Sequence, residues 1–307
     1  MGKRRTSQRP WWRQLILWLL VSSGISLLAR RRGALSRSGV PAAIATGTLT
    51  AGIGGWELGL SLIFFFVSST LLSRFRPQKK VHATAEKLAK GSARDMLQVL
   101  ANGGVATWCA LRYGLRRRSS GALDSLAHPE SDSPDLWLAA FGGALATATA
   151  DTWATEVGML ASRPPRLLTT GRPVAPGTSG ALSWPGTLAA AAGALSSGIV
   201  LQGLFALGDF LSGLPRGGVR GRSLPLAFLA CSSGLAGSLI DSFLGATLQT
   251  VYCCPRCGQE TEQPLHQSCQ TVTRRLRGLP GVNNDTVNFL ATLSGGLIAS
   301  LLARYTR

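Results

Sequence analysis

Apolar residues fall into eight blocks, at 11–29, 40–55, 58–72, 99–113, 136–160, 181–207, 224–248 and 287–303, and segments rich in Arg, Pro and Ser separate them. The longer blocks match the ~20 residues a helix needs to cross hydrocarbon. The pattern predicts an all-α, polytopic membrane bundle of six to eight transmembrane helices, eight preferred. Blocks 40–55, 58–72 and 99–113 are short and rich in Gly, Ala and Ser, so one re-entrant or interfacial segment among them would lower the count; small residues also allow close helix packing. One membrane domain, 1–307, therefore accounts for the chain, with a polar insert at 249–286.

Two carboxylates interrupt the fifth block. At about 100° per residue, Thr147, Asp151, Thr155, Thr152, Glu156 and Thr149 share one arc of a helix, with Ala150, Trp153, Ala154 and Val157 opposite. An ionised side chain within a span costs roughly 2.5–3.5 kcal/mol on insertion scales, so such groups face a protein interior or a wet cavity and mark function. A third acid repeats the pattern, because Ser238, Asp241, Ser242, Gly245 and Gln249 share a helical face. One such acid could pair with an arginine or cap a neighbouring helix. Three on polar faces suggest a common cation site, and carboxylate and hydroxyl oxygens suit Mg²⁺.

Three polar stretches supply further candidates. Arg94, Gln98 and Asn102 are four apart where a polar segment enters the fourth block; the stripe fits either an anionic ligand or hydrogen bonds to neighbouring helices. Gly177-Thr178-Ser179-Gly180 is a loop whose amides and hydroxyls can converge on phosphate before a helix that Pro185 would start, with Arg163, Arg166 and Arg172 able to add charge. The spacing matches no nucleotide-binding fingerprint, so an ordinary Gly/Pro turn explains the loop equally well. Asn284, Asp285 and Asn288 fit either oxygen provision to a ligand or Asx turns.

Cysteine placement adds a second chemistry. Cys254, Cys257, His266 and Cys269 form paired CxxC and HxxC ends suited to a structural Zn²⁺, the alternative being an incidental cysteine-rich surface loop. Cys253 is spare, and Cys109 and Cys231 lie in apolar blocks as small packing residues.

The net charge of +18 on 307 residues changes the picture little, because the basic residues flank apolar blocks instead of forming an aromatic-interleaved patch. The implied partner is a lipid bilayer and not nucleic acid. With the N-terminus outside, segments 30–38, 74–94, 158–180 and 249–286 share the inner face and carry 18 of the 32 Lys and Arg, which favours that face as cytosolic; the basic start at Lys3–Arg5 opposes it. Block 11–29 has the flavour of a signal peptide but a poor cleavage context, and is taken as a retained span. Glu57, between two blocks, is expected at the interface, and 114–135 is expected as a solvated loop.

Taken in order, Arg94 with Gln98-Val99 and Asn102-Gly103, Asp151-Thr152-Trp153-Ala154-Thr155-Glu156-Val157-Gly158, Pro165-Arg166-Leu167, Gly177–Gly180, Gly237-Ser238 with Asp241-Ser242 and Gly245-Ala246-Thr247, and Asn284–Asn288 resemble the transmembrane protein 19 family, which includes plant phytyl-phosphate kinases. The resemblance covers nearly the whole chain. A weaker similarity extends to CTP-dependent polyprenol kinases. Where the family usually has an acid followed by two Asn, this chain has Asn283-Asn284-Asp285, and the Cys/His insert is not part of the family pattern.

The resemblance implies transfer of a phosphoryl group from CTP or ATP to an isoprenoid monophosphate. Asp151, Glu156 and Asp241 would hold Mg²⁺ as the catalytic set, with Arg94, Gln98, Asn102, the Gly177–Gly180 loop, Asn284, Asp285 and Asn288 binding phosphate and substrate. It also implies an endoplasmic reticulum or other endomembrane location, or a plastid membrane in a photosynthetic organism. A transporter and a non-catalytic multi-pass membrane protein are the other classes the residues allow.

Overall fold

Each apolar block becomes a helix in the computed structural model, which describes residues 11–75, 93–119, 135–212, 226–266 and 268–305. The helices are α1 Trp11–Arg31, α2 Gly39–Leu49, α3 Trp56–Arg74, α4 Met96–Ser119, α5 Leu136–Gly158, α6 Trp184–Ser212, α7 Leu226–Thr247 and α8 Asn284–Tyr305. A π-helical segment, Thr50–Gly54, prolongs α2. Among the described residues five helices, α1, α3, α6, α7 and α8, are long and apolar enough to cross a membrane by length and composition. Segments 76–92 and 120–134, with the basic run at Lys79-Lys80 and most of the expected 114–135 loop, lie outside the described residues.

The helix carrying the two acids is the hub. Helices α3, α4, α6, α7 and α8 all contact α5, and every residue from Leu138 to Ala150 is buried. A helix enclosed on all sides has no use for a polar stripe, and this half has none. Phe141, Leu138 and Leu145 pack with Leu58, Tyr113, Leu201, Phe205 and Leu226. On its other flank small residues bring backbones together: a Cβ on Gly143 would lie 2.5 Å from Ala299 and 2.8 Å from Ser233, and one on Gly234 would lie 2.7 Å from Ala146. Buried Thr147 and Thr149 each donate to the carbonyl four residues back, at 2.8 Å, and so bury no orphan hydroxyl.

Helix α1 is the opposite case. It buries only Ser22, Ser26 and Ala29 while Leu17, Leu20, Leu27 and Leu28 are exposed, a surface suited to lipid. Glu57 departs from its expected interfacial place: it is 4% exposed, set beside Gly55 and Gly208.

The described ends of the connections after α1, α3, α5 and α7 come together on one face, where Ser73 meets Glu156, Ala34 and Ser36 meet Arg94, and Ser179 meets Glu262. Main-chain bonds tie these connections together, with Ser36 N–H donating to Arg94 O and Arg94 N–H to Ala34 O, both at 3.0 Å. Short strands, unanticipated by an all-helical reading, complete this face. Strand β1, Arg166–Leu167, pairs with β2, Ala181–Leu182. That pairing delays the sixth helix from the expected position 181 to Trp184, where Ser183 Oγ accepts from Gly186 N–H at 3.2 Å and Pro185 sits in the first turn. In the insert β3 (Val251–Cys253), β4 (Glu260–Thr261) and β7 (Arg274–Arg277) form a sheet of order β4-β3-β7, and β5 (Leu265–His266) pairs with β6 (Thr271–Val272).

Candidate active site

Past Ala150, α5 leaves the core and its side chains enter a chamber of about 900 Å³ at the connected face. Asp151, Thr152, Thr155 and Glu156 line it from α5, and Ser238, Asp241, Ser242 and Gly245 from α7, followed by Gln249. Arg94, Gln98 and Asn102 line it at the start of α4, the Gly177–Gly180 loop opposite, and Asn284 and Asn288 from α8. The expected arc on α5 is thus shortened. Thr147 and Thr149 remain in the core because the chamber begins one turn later.

Local bonding fixes several of these groups. Glu156 Oε1 accepts from Ser73 Oγ at 2.7 Å. Asp95 and Gln98 cap α4 reciprocally: Gln98 N–H donates to Asp95 Oδ1 at 3.0 Å, and Asp95 N–H to Gln98 Oε1 at 3.3 Å. Asn102 Nδ2 donates to Gln98 O at 3.0 Å. At α8, Asn283 Oδ1 accepts from Thr286 N–H at 2.9 Å and from its hydroxyl at 3.1 Å, so the position where an acid was expected serves as a helix cap. Asp285, in the first turn, is buried and does not line the chamber, unlike its neighbours Asn284 and Asn288.

The Gly loop also differs from expectation. Ser179 Oγ donates to Glu262 Oε1 at 3.0 Å and so is held by the insert. The same carboxylate oxygen accepts from Gln249 Nε2 at 2.9 Å. Arg277 clamps the back of the loop, donating to Ser179 O at 3.0 Å and to Gly245 O and Ala246 O at 2.9 and 2.6 Å. Arg163, Arg166 and Arg172 do not line the chamber, and Arg166 is spent on Gly171 O at 2.8 Å. Neither Glu262 nor Arg277 stood out in the sequence, because both lie in an aperiodic insert far along the chain from the loop they hold.

Charge decides what this space admits. Asp151, Glu156, Asp241, Glu260 and Glu262 line it, and Arg94 is the one basic side chain among the described lining residues. Burial lowers the Arg94 pKa to about 10, with Glu156 opposing the shift, so the guanidinium is charged at neutral pH. Its Cζ lies 5.8 and 5.4 Å from the ring centres of Phe65 and Phe66. Five carboxylates against one arginine give the lining a formal excess of negative charge. The donors are hard oxygens, with hydroxyls of Thr152 and Ser242 and amides of Asn284 and Asn288 beside them, a set that fits Mg²⁺.

A second, apolar cavity of about 90 Å³ adjoins the first. Trp18, Ile25, Leu35, Leu62, Phe65 and Phe66 line it, and Arg94, Gln98 and Asn102 line both. On the insert, the ligand atoms of Cys254, Cys257, His266 and Cys269 all lie within 4.8 Å of one another. Burial opposes ionisation of Cys254, but bonds from the backbones of Cys257 and Arg256 and from neighbouring thiols outweigh it and lower the pKa. Burial and the adjacent Cys257 and Cys254 push Cys269 up to about 11.

The sequence profile described as integral membrane protein DUF92 matches residues 20–296. Protein PGR of Arabidopsis thaliana is 29% identical over 293 residues, 95% of this chain and 97% of that one. An uncharacterized membrane protein of Methanocaldococcus jannaschii is 26% identical over 94% of both chains. Protein VTE6, chloroplastic, of Arabidopsis thaliana is 26% identical over 88% of this chain and 66% of its own. No solved structure matches.

Proposed function

Because the chain belongs to the integral membrane protein DUF92 family, we propose that it is a Mg²⁺-dependent kinase that transfers a phosphoryl group from CTP or ATP to an isoprenoid monophosphate of the phytyl class. One observation carries this reading: a polar, acid-rich chamber and an apolar cavity meet at Arg94, Gln98 and Asn102. A prenyl phosphate has the same two-part chemistry. Its phosphate would sit against Arg94, and its first isoprene units would enter among Leu62, Phe65 and Phe66 while the rest of the tail lies in lipid. The motif resemblance to a family that includes phytyl-phosphate kinases supports the same substrate class.

In this mechanism an oxygen of the acceptor monophosphate attacks the donor γ-phosphorus, the γ-phosphorus to β-oxygen bond breaks, and nucleoside diphosphate leaves. The acceptor is already anionic and needs no general base, so the protein contributes positioning and charge neutralisation. Arg94 neutralises the acceptor, and the Gly177–Gly180 backbone orients donor phosphates. Asp151, Glu156 and Asp241 would hold Mg²⁺, which when bound would supply charge neutralisation to the donor phosphates. Without a cation those acids would repel a nucleoside triphosphate.

Purified protein in nanodiscs, given Mg²⁺, labelled CTP or ATP, and phytyl, geranylgeranyl or dolichyl monophosphate, should yield the labelled diphosphate. The assignment fails if folded protein makes none with any donor and acceptor pair. Mg²⁺-dependent flux of a phosphate ester without phosphoryl transfer would favour a transporter.

A further inference from the structure

We propose that Cys254, Cys257, His266 and Cys269 bind one zinc ion, and that this ion fixes the loop 258–265 as a wall of the chamber. The proposal is independent of the kinase reading. Tetrahedral zinc, with Zn–S near 2.3 Å and Zn–N near 2.0–2.1 Å, sets its donors roughly 3.5–3.8 Å apart. All four donor atoms lie within 4.8 Å, and Cys257 Sγ is 3.7 Å from His266 Nδ1. Four protein ligands leave no open position, which makes the site structural.

Two turns present the ligands. In the first, Gly258 takes φ +72° and its N–H donates to Cys254 O at 2.8 Å, while Cys254 N–H donates to Gln259 O at 2.9 Å. This folds Cys257 back over Cys254. In the second, the β5-β6 hairpin brings Cys269 beside His266, and Arg256 Nη1 reaches Cys269 O at 3.4 Å to join the two turns. Cys253 is not among the ligands: its Sγ lies 3.6 Å from Gly258 O. Three thiolates on Zn²⁺ leave one net negative charge, and Arg256, bonded to Cys269 O, lies beside it.

The insert needs such a cross-link. Its strands β4, β5 and β6 are two residues each, too short to be stable as isolated hairpins. His266 and Cys254 are 1% and 0% exposed, whereas Cys269 is half-buried and Cys257 exposed, so the cluster runs from the interior of the insert to its surface. Between Cys257 and His266 the chain runs along the chamber, with Gly258 through Gln263 lining it. Glu262 on that run holds Ser179 and Gln249 together through one oxygen. The ion thereby reaches the Gly loop through covalent chain and the Glu262–Ser179 hydrogen bond.

Full-length protein purified in detergent under reducing conditions should contain about one zinc per chain by elemental analysis. Cys257→Ser and Cys269→Ser should each reduce that to below about a tenth, Cys253→Ser should leave it unchanged, and His266→Cys should retain the metal where His266→Ala loses it. Loss caused by misfolding is separated by stripping the wild-type chain with a chelator: adding Co²⁺ should restore thiolate charge-transfer absorption, and proteolysis within 258–265 should rise on stripping and fall on adding Zn²⁺. Folded protein lacking zinc, stoichiometric iron in its place, zinc retained by a Cys257→Ser/Cys269→Ser double variant, or a Cys254–Cys257 disulfide in the reduced preparation would each overturn the site. Unchanged proteolysis would overturn its role as a wall.

Discussion

The two halves of α5 share a helix and a Thr/Ala-rich composition, yet they follow opposite rules. From Leu138 to Ala150 every residue is buried and every hydroxyl bonds its own backbone. From Asp151 onward the same helix carries two acids into a chamber that gathers polar groups from α3, α4, α7, α8 and the insert. The difference arises from what surrounds each half: α4, α6, α7 and α8 press glycines and small residues onto the first, whereas loops and helix ends surround the second. A carboxylate in the first half would lose its hydration with nothing to replace it. In the second half it lines a chamber shared with hydroxyl and amide side chains.

The sharpest test exchanges the roles of the halves. Asp151→Asn or Asp241→Asn should cut diphosphate formation on the order of 10²–10³-fold, the scale set by removing one group aimed at reacting charge, with no fall in melting temperature. Leu145→Ala should do the reverse, destabilising the protein by roughly 2–5 kcal/mol while turnover per folded molecule stays close to wild type. Unchanged turnover in both Asn variants would break the comparison, because the chamber half would then be polar without being catalytic.

Next in size is a backbone effect. Gly180 has φ +79°, and a Cβ there would lie 2.5 Å from both Cα and Cβ of Ala246, so the Gly177–Gly180 loop rests directly on α7. Gly180→Ala should displace the loop and lower turnover about 10²-fold, the effect of misplacing a positioning group by about 1 Å. Gly171 is the control: its φ is +66° but nothing lies within 4 Å of the added Cβ. Gly171→Ala should cost only about 1–2 kcal/mol of backbone strain and leave turnover per folded molecule unchanged. Equal losses of turnover in the two variants would show that conformational strain, and not loop-to-helix contact, governs the site.

What the sequence made legible follows the same division. Eight blocks of apolar residues mark the eight helices of the described residues because hydrophobic length is a local property, and polar faces on α5 and α7 mark the acids because helical periodicity is local too. Gathering the acids required no foresight about contacts: Asp151, Glu156 and Asp241 all line the chamber, whereas Asp285 is buried off it by the register of α8. Long-range bonds were not legible. Nothing in Thr261-Glu262-Gln263 announces that Glu262 will meet Ser179, 83 positions away. Likewise the arginines beside the Gly loop looked like phosphate ligands, but β1 pairing directs Arg166 to Gly171, and the arginine that holds the loop is Arg277.

Glu262 therefore gives a smaller, more specific prediction. Glu262→Ala removes one acceptor shared by two donors and should lower stability by roughly 1–3 kcal/mol, seen as a lower melting temperature in detergent. Glu262→Gln keeps a carbonyl oxygen for the same donors and should recover much of that loss. If the Gln variant behaves like Ala, the charge of Glu262 matters more than its hydrogen bonds, and the link from insert to Gly loop is electrostatic.

The smallest effect isolates the boundary between the halves. Thr149 Oγ donates to Leu145 O and Thr152 Oγ to Ala148 O, both at 2.8 Å, so the two hydroxyls make the same bond three residues apart. Thr149 is fully buried, whereas Thr152 lines the chamber. In each case the accepting carbonyl keeps its own helix N–H partner when the hydroxyl is removed, so Thr149→Val should change stability by less than about 1 kcal/mol and turnover not at all. Thr152→Val makes the same local change but strips an oxygen from the chamber wall, and turnover should fall severalfold while Thr152→Ser retains it. Equal behaviour of the two Val variants in a turnover assay would place the functional boundary on α5 beyond Thr152, at Thr155 and Glu156.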